Sequence, residues 1–288
     1  MKRIRTKEIH EKKWCPDLFR DILTEFLSII WAVGVYKQAI DEINLLIHVL
    51  PVKKIVDLCS GAGDYLPELL KEIQSEEKDS PVIIYKTDLF PNKRFFDTGN
   101  SHIRYFEEPL PADRAFSRFD ALFCMFSALH HFDEPDLLKI FSRAARNGKS
   151  FAFFDVSQRR FFTDILPNIF LPPTLLCSAP FFKDFSWKHF LFIYVLPILP
   201  LIIFIDGTIS RMRAYKHNEL EALLVRVRKR YPDYHVMVTE YNLMGGLQKI
   251  TAVLGYPREY RERISLLEEK KKEEREEERK KRKTQDRK

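Results

Sequence analysis

A glycine-rich turn, Asp57-Leu-Cys-Ser-Gly-Ala-Gly63, follows a short apolar run and precedes a helical pattern. Glycines let the backbone turn tightly there, so a ligand can approach the main chain and the start of the helix. Asp88 ends the next strand pattern, 25 residues after Gly63, where a carboxylate can accept both hydroxyls of a ribose. The spacing therefore predicts a site for an adenosine-containing cofactor. The alternative is structural: a turn that needs glycine for its shape, and an aspartate that caps the next helix.

Two histidines, His130 and His131, follow the predicted fourth strand. Substrates of open parallel sheets bind at that edge. Either ring is therefore a candidate general base toward an acceptor hydroxyl or amine, oriented by Asp133. The alternative is that one ring packs in the core and the other binds backbone. We expect no metal, because no His/Cys cluster completes the pair and the four cysteines lack CxxC or CxxH spacing.

A polar strip from Asp206 to Tyr215 includes Arg211 and Arg213. Guanidinium groups suit phosphate and carboxylate, so Arg213 and Tyr215 are candidate substrate residues that would bind an anionic head group. The alternative is that Arg213 pairs with Asp206 and fixes the end of the preceding segment.

The elements that must position these residues alternate, from Lys53 onward, between short apolar runs and longer amphipathic ones. Five such strands predict an α/β fold with a parallel sheet and helices on both faces, closed by a hairpin around Gly245-Gly246. Helical spacing over 16–49 predicts one or two helices that pack on this sheet. The predicted strands are 54–58, 82–87, 103–106, 119–126, 150–156, 235–243 and 249–254. The predicted helices are 64–75, 92–98, 134–147 and 217–230, the last with Asn218 as its N-cap.

Composition divides the chain into an N-terminal helical extension (1–50), a main domain (51–257) and a charged, solvated tail (258–288). Of the net charge of +7, residues 1–13 and 258–288 carry a surplus of four each, which leaves −1 for 14–257. A neutral body argues against a nucleic-acid partner. We find no secretion signal, and the scattered cysteines fit a reducing compartment, so we expect a cytoplasmic protein.

An apolar insertion, 158–207, contains a sixteen-residue run without charge at 190–205. Spanning a bilayer takes about 20 residues, and a true span would separate the last two strands from their sheet. We therefore expect the run to enter one leaflet or to cover the site as a lid, interrupted by Pro197 and Pro200. The basic residues 1–13 would add attraction to anionic lipid on the cytoplasmic face.

Four motifs in this order resemble the bacterial class I S-adenosylmethionine-dependent methyltransferases, over roughly residues 40–257. They are the glycine-rich turn, Thr87-Asp-Leu-Phe-Pro-Asn92, Met125-Phe-Ser-Ala-Leu-His-His-Phe132 and Asp206-Gly-Thr-Ile-Ser-Arg-Met-Arg-Ala-Tyr215. The resemblance implies a Rossmann-like, seven-stranded sheet whose last strand inserts antiparallel.

The resemblance also implies roles for individual residues. Asp57, Ser60, Gly61 and Gly63 would surround the methionine part of S-adenosylmethionine. Asp88 would hold its ribose, and Glu108 would lie near its adenine. The sequence departs from the family at Cys59, where the superfamily has its first glycine.

The implied activity is methyl transfer from S-adenosylmethionine to a small-molecule acceptor, and the apolar insertion points to a hydrophobic or lipid-like one. One alternative is a non-catalytic, membrane-associated module that keeps the cofactor site. Another is a dinucleotide-dependent oxidoreductase, which Leu66 in place of a third glycine and the closing hairpin disfavour.

Overall fold

The computed structural model describes residues 2–273 apart from 33–35, 62, 64, 77–80, 183–184, 244–247 and 271–272. Its strands are β1 (Lys54–Leu58), β2 (Ile83–Thr87), β3 (Ile103–Tyr105), β4 (Leu122–Phe126), β5 (Phe151–Asp155), β6 (Tyr234–Leu243) and β7 (Gln248–Pro257). Its helices are α1 (Asp17–Ala32), α2 (Lys37–Val49), α3 (Leu66–Glu76), α4 (Ala112–Ala115), α5 (Glu134–Arg146), α6 (Leu171–Ser178), α7 (Trp187–Phe190), α8 (Ile198–Arg213) and α9 (His217–Arg230).

The seven strands form one sheet in the order β3-β2-β1-β4-β5-β7-β6. Strands β1 to β5 are parallel, and β7 lies antiparallel between β5 and β6. The predicted sheet with an antiparallel closing hairpin is thus confirmed. The predicted Gly245-Gly246 connection lies outside the described residues.

Helices cover both faces of the sheet, as predicted. Apolar residues of α2 and α3 pack on one face, and those of α4, α5 and α9 pack on the other. Strands β4 and β5 are buried at every position, because helices on both sides exclude water from a central parallel strand. The packed sheet therefore fixes the positions of the carboxyl ends of β1, β2, β4 and β5 and of the residues that follow them.

Helix α9 has the predicted range, 217–230, but its predicted N-cap, Asn218, was wrong. Lys216 is the N-cap, and the Glu219 side chain accepts a hydrogen bond from its backbone N–H (2.9 Å). Two predicted element boundaries were also wrong. The predicted strand at 119–126 begins only at Leu122, and the predicted helix at 92–98 is a single 3-10 turn, Lys93–Phe95.

The N-terminal extension packs on two different partners. Helix α2 joins the core on the sheet, whereas apolar residues of α1 pack with α6 and α8 of the insertion in a separate core. Residues 2–8, which precede these helices, have no regular structure. The insertion and the first helix are therefore one packing unit beside the sheet.

The insertion is a chain of short, broken helices. Among the described residues no single helix is long and apolar enough to cross a bilayer; Trp187–Val195 and Ile198–Arg213 reach that length only as a pair bent by 70°. The bend falls at Pro197, as predicted, but Pro200 lies in the first turn of α8, where proline is tolerated.

The tail is helical over 261–270. Its Ile264 is buried in the core on the face covered by α2 and α3, so the first part of the predicted solvated tail belongs to the folded body.

Candidate functional site

Three residues of the glycine-rich turn adopt the left-handed backbone conformation: Cys59 (φ +56°), Gly61 (φ +52°) and Gly63 (φ +64°). A Cβ added at Gly61 would have no atom within 4 Å, whereas one at Gly63 would lie 2.7 Å from Lys86 Cε. Gly63 is therefore required by close packing, and Gly61 borders open space that a ligand can fill.

Asp88 ties this turn to the end of β2. Its two carboxylate oxygens accept hydrogen bonds from the backbone N–H groups of Gly61 (3.0 Å) and Phe90 (2.8 Å). It does not cap the following 3-10 turn, because its contacts are with the glycine-rich turn and with its own next residues. Burial raises the pKa of Asp88, and each oxygen keeps a lone pair for a further donor.

Asp57 is a fully buried carboxyl group at the end of β1. Its Oδ2 accepts a hydrogen bond from the Tyr65 hydroxyl, while Oδ1 and the nearby Ser60 Oγ have no hydrogen-bond partner among the described residues. Burial raises the pKa of Asp57 to about 7, against the opposing influence of the nearby Ser60 and Tyr65 hydroxyls and of the Lys86 charge. A buried acid with an open oxygen is suited to a positively charged group.

Lys86 is a site residue that the sequence analysis missed. It is buried in β2, where it stands opposite Asp57. Its Nζ lies 5.0 Å from the centre of the Tyr105 ring and 5.7 Å from that of Phe95. The sequence feature that could have indicated Lys86 is a lysine within a strand of mostly apolar residues. Glu108, by contrast, is exposed and pairs with Arg118 (3.2 Å), so its predicted place near adenine stays a prediction.

His130 is buried against the end of β5. Its backbone N–H donates to Asp155 Oδ2 (3.1 Å), and its Nδ1 lies 2.8 Å from the same oxygen. Burial lowers the pKa of His130, but the Asp155 carboxylate outweighs it and raises the pKa. The predicted orienting residue was wrong: Asp133 pairs with Arg3 (3.2 Å), and Asp155 holds the ring.

His131 is half-buried, and its Nδ1 contacts Glu11. Burial and the neighbouring His130 charge lower the pKa of His131. Glu11 itself is held at a pKa of about 2, because hydrogen bonds and charge from His131 and Arg213 outweigh its burial.

Residues 3–11, which we call the N-terminal strap, cover this side of the sheet. The backbone N–H of Ile4 donates to Met212 O (3.2 Å). The Arg3 guanidinium donates to the Phe132 and Arg213 carbonyls (2.8 and 2.6 Å) and lies 4.1 Å from the Tyr215 ring centre. The strap thus lies along the loop after β4 and the end of α8.

Arg213 and Tyr215 bind this strap instead of standing free for a substrate. Arg213 lies 2.9 Å from both Glu11 oxygens, and the Tyr215 hydroxyl donates to Phe132 O (2.9 Å). The alternative pairing of Arg213 with Asp206 was also wrong, because Asp206 accepts from the backbone N–H of Ile9 (2.6 Å) and contacts His10 Nδ1 (3.0 Å). Arg211 likewise donates to the carbonyl of Val156 (2.9 Å). Both guanidinium groups thus bind groups of the protein itself, and not an anionic head group as predicted.

Glu8, His10 and Glu11 are functional candidates that the sequence analysis missed. The sequence feature that could have indicated them is weak: Glu-Ile-His-Glu at 8–11 interrupts a run that is otherwise basic. Only the fold shows that this segment meets residues 130–213.

A scan against models of known protein families finds no match for this chain, and no curated protein matches its sequence. Solved structures do match. The plantazolicin methyltransferase BpumL in complex with SAH superposes with a TM-score of 0.52 and 10% identity, over 85% of this chain and 92% of that one. An O-methyltransferase family protein from Burkholderia thailandensis gives a TM-score of 0.44 and 16% identity, over 77% of this chain and 56% of that one.

The match to BpumL covers nearly the whole length of both chains, and the strand order is that of one continuous methyltransferase sheet. The chain therefore has the Rossmann-like fold of class I methyltransferases, with an insertion between β5 and α9 and an N-terminal strap. It spans a little over half, 56%, of the length of the Burkholderia protein.

Proposed function

We propose that this protein is an S-adenosylmethionine-dependent methyltransferase. One observation carries the proposal, the arrangement of three residues at the edge of a methyltransferase-type sheet. Gly61 borders open space, and its backbone N–H donates to Asp88. Buried Asp57 keeps one carboxylate oxygen without a hydrogen-bond partner among the described residues. The SAH in the BpumL complex and the family resemblance of the motifs support the same cofactor.

The residues present fit S-adenosylmethionine. Asp57 would bind the ammonium group of its methionine part, Ser60 Oγ and the backbone at Gly61 would lie along it, and Asp88 would accept from the ribose hydroxyls. When bound, the cofactor supplies an activated methyl group for in-line transfer to an acceptor. The chain contributes alignment and exclusion of water.

His131 is the better candidate for a base if the acceptor must lose a proton. Its lowered pKa keeps the ring neutral near pH 7, whereas Asp155 favours the protonated form of His130. A base must begin the reaction unprotonated. His130 then serves as a positioning residue behind it.

Calorimetric titration with S-adenosylmethionine and S-adenosylhomocysteine tests this function. We expect binding by the native chain, and its loss in Gly61→Val, whose side chain would fill the open space. Gly99→Val is the matched control, because Gly99 has the same left-handed conformation (φ +62°) and the same lack of atoms within 4 Å. Equal affinity in both folded variants would refute the cofactor site. Binding without any methylated product would favour the non-catalytic alternative.

We further propose that the acceptor is hydrophobic or lipid-like and that the protein works in the cytoplasm at a membrane surface. Among the described residues, sixteen of the twenty-two large exposed apolar side chains fall within 161–204. Phe162, Phe170, Phe181 and Trp187 are among the most exposed, at 77%, 68%, 84% and 70%. Apolar surface of this extent is typical of a membrane or ligand interface.

A further inference from the structure

We propose that Glu8, His130 and His131 form a binding site for one divalent transition-metal ion of the zinc class. The sequence predicted no metal because nothing near the histidine pair completed a site. The fold supplies the missing carboxylate from the N-terminal strap, more than 120 residues away in the chain.

The three side chains are spaced for a shared ion. Glu8 Oε1 lies 3.7 Å from His130 Nε2 and 4.0 Å from His131 Nδ1. The ligand atoms that the three residues offer all lie within 4.8 Å of one another. Ligands about 2.0–2.2 Å from a tetrahedral zinc ion stand roughly 3.3 Å apart. The two distances from Glu8 Oε1 exceed that spacing by less than 1 Å.

The charge of the cluster also calls for a cation. Four carboxylates meet there, those of Glu8, Glu11, Asp155 and Asp206, and three histidines lie between them. Arg213 contributes one positive charge, 2.9 Å from Glu11 and 3.5 Å from Glu8. A divalent ion bound here would compensate two of these negative charges, in place of protons on the histidine rings. Buried charge is stable only when it is compensated in this way.

The surrounding contacts orient the proposed ligands. Asp155 holds Nδ1 of His130, which leaves Nε2 directed at Glu8. A carboxylate on the far nitrogen of a ligating histidine is the usual outer partner in metal sites. Glu11 contacts Nδ1 of His131, so an ion bound at that nitrogen would replace the proton shared between them.

The role of this ion rests on the proposed function, although its binding does not. Three protein ligands leave a tetrahedral ion one open position. At the edge of the sheet next to the proposed cofactor site, that position would take an oxygen atom of the methyl acceptor. With the ion bound, His131 would act as a ligand and not as the base, because the ion itself would lower the pKa of a bound hydroxyl. The inferred substrate class is thus a hydrophobic molecule that carries a hydroxyl or carboxylate oxygen.

The test measures metal binding alone, on untagged full-length protein that has been stripped with a chelator and checked by circular dichroism. We expect calorimetry with ZnCl₂ to give one ion per chain, and Co²⁺ to give the visible absorption of a tetrahedral site. Glu8→Gln and His131→Ala should each weaken Zn²⁺ binding at least 100-fold. His102→Ala, which removes a histidine of the sheet's far edge, is the matched control and should bind as the native chain does.

Two results would overturn the site: no stoichiometric binding by the native chain, or the same affinity in Glu8→Gln as in the control. If His131→Ala fails to fold, the near-isosteric Glu8→Gln still decides. Titration of the same samples with S-adenosylhomocysteine separates the two proposals, because loss of cofactor binding with zinc binding intact refutes only the function.

Discussion

Cys59 shows how one side chain can occupy a position that usually belongs to glycine. Its φ of +56° places it in the left-handed region, which costs a residue with a Cβ roughly 1–2 kcal/mol. The sequence thus has a side chain at a position whose backbone has the conformation that glycine favours. Its thiol has a pKa raised by burial, which makes it a packing residue and a poor nucleophile.

We predict that Cys59→Gly is more stable than Cys59→Ala by about 1 kcal/mol, because both lose the same sulfur but only alanine keeps the strained φ. Urea denaturation of the two variants measures the difference. An alanine variant as stable as the glycine one would show that the left-handed conformation carries no strain here.

Asp57 gives the native protein an unusual dependence on pH. Its pKa is raised to about 7 by burial, and the groups that influence it are the Ser60 and Tyr65 hydroxyls and the charges of Lys86 and Asp88. An unfolded aspartate titrates near pH 3.9. Between these values the native state holds a proton that the unfolded state lacks, so the free energy of unfolding falls as the pH rises.

The free energy of unfolding of Asp57→Asn, relative to that of the native chain, should therefore rise by about 2–4 kcal/mol between pH 4 and pH 8. Thermal denaturation of both proteins across this range checks the sign. A stability difference that does not grow with pH would show that Asp57 is ionised without cost.

At the scale of elements, the strap is held by polar contacts and the insertion by apolar ones. Hydrogen bonds and ion pairs link the strap to the loop after β4 and to α8, whereas α1, α6 and α8 share an apolar core. The strap is consequently sensitive to single charge changes.

We expect Glu11→Gln to lower the free energy of unfolding by roughly 1–3 kcal/mol, since it leaves the buried Arg213 guanidinium without its closest carboxylate. It should also speed proteolysis after Arg5 and Lys7. Glu108→Gln breaks an exposed ion pair and should change stability by less than about 0.5 kcal/mol. Urea denaturation of the two variants, side by side, measures the difference. Equal stability of Glu11→Gln and Glu108→Gln would contradict this expectation.

The strands, the helices that flank them and the cofactor turn could be predicted because their signals are local. The apolar run of β1 and the glycine spacing of the turn after it both lie within one segment of about ten residues, so the sequence there is enough to predict them. The partners of the histidines could not be predicted in this way. His131 meets Glu11 across 120 positions and Arg213 meets Glu8 across 205, and no periodicity in the sequence links residues so far apart.

At the scale of the whole molecule, two units lie side by side: a sheet with a core on each face, and an apolar lobe made of α1 and the insertion. The lobe carries most of the large exposed apolar side chains of the described residues, and exposed Arg5 and Lys7 belong to the strap that lies along the end of α8. The basic strap thus meets the apolar lobe at α8, a combination that supports the proposed membrane contact.

We predict that the protein floats with vesicles that contain anionic lipid and that the triple variant F162S/F170S/F181S does not. The three side chains are 77%, 68% and 84% exposed, so their replacement removes membrane contact at little cost to the core. F90S is a matched control, because Phe90 is 75% exposed but belongs to the loop after β2. Flotation that is unaffected by the triple change would place the membrane contact elsewhere.

The strap has a consequence for how the protein is made. Its residues are synthesised before their partners at 130–213, by as many as 205 positions for Glu8 and Arg213. At about 5–20 residues per second, Glu8 waits roughly 10–40 s for Arg213. During that time the Glu-Ile-His-Glu segment of the nascent chain lacks the contacts with Arg213 that Glu8 and Glu11 make in the folded protein. Codon choice before position 213 would therefore set how long that segment stays exposed to proteases and chaperones.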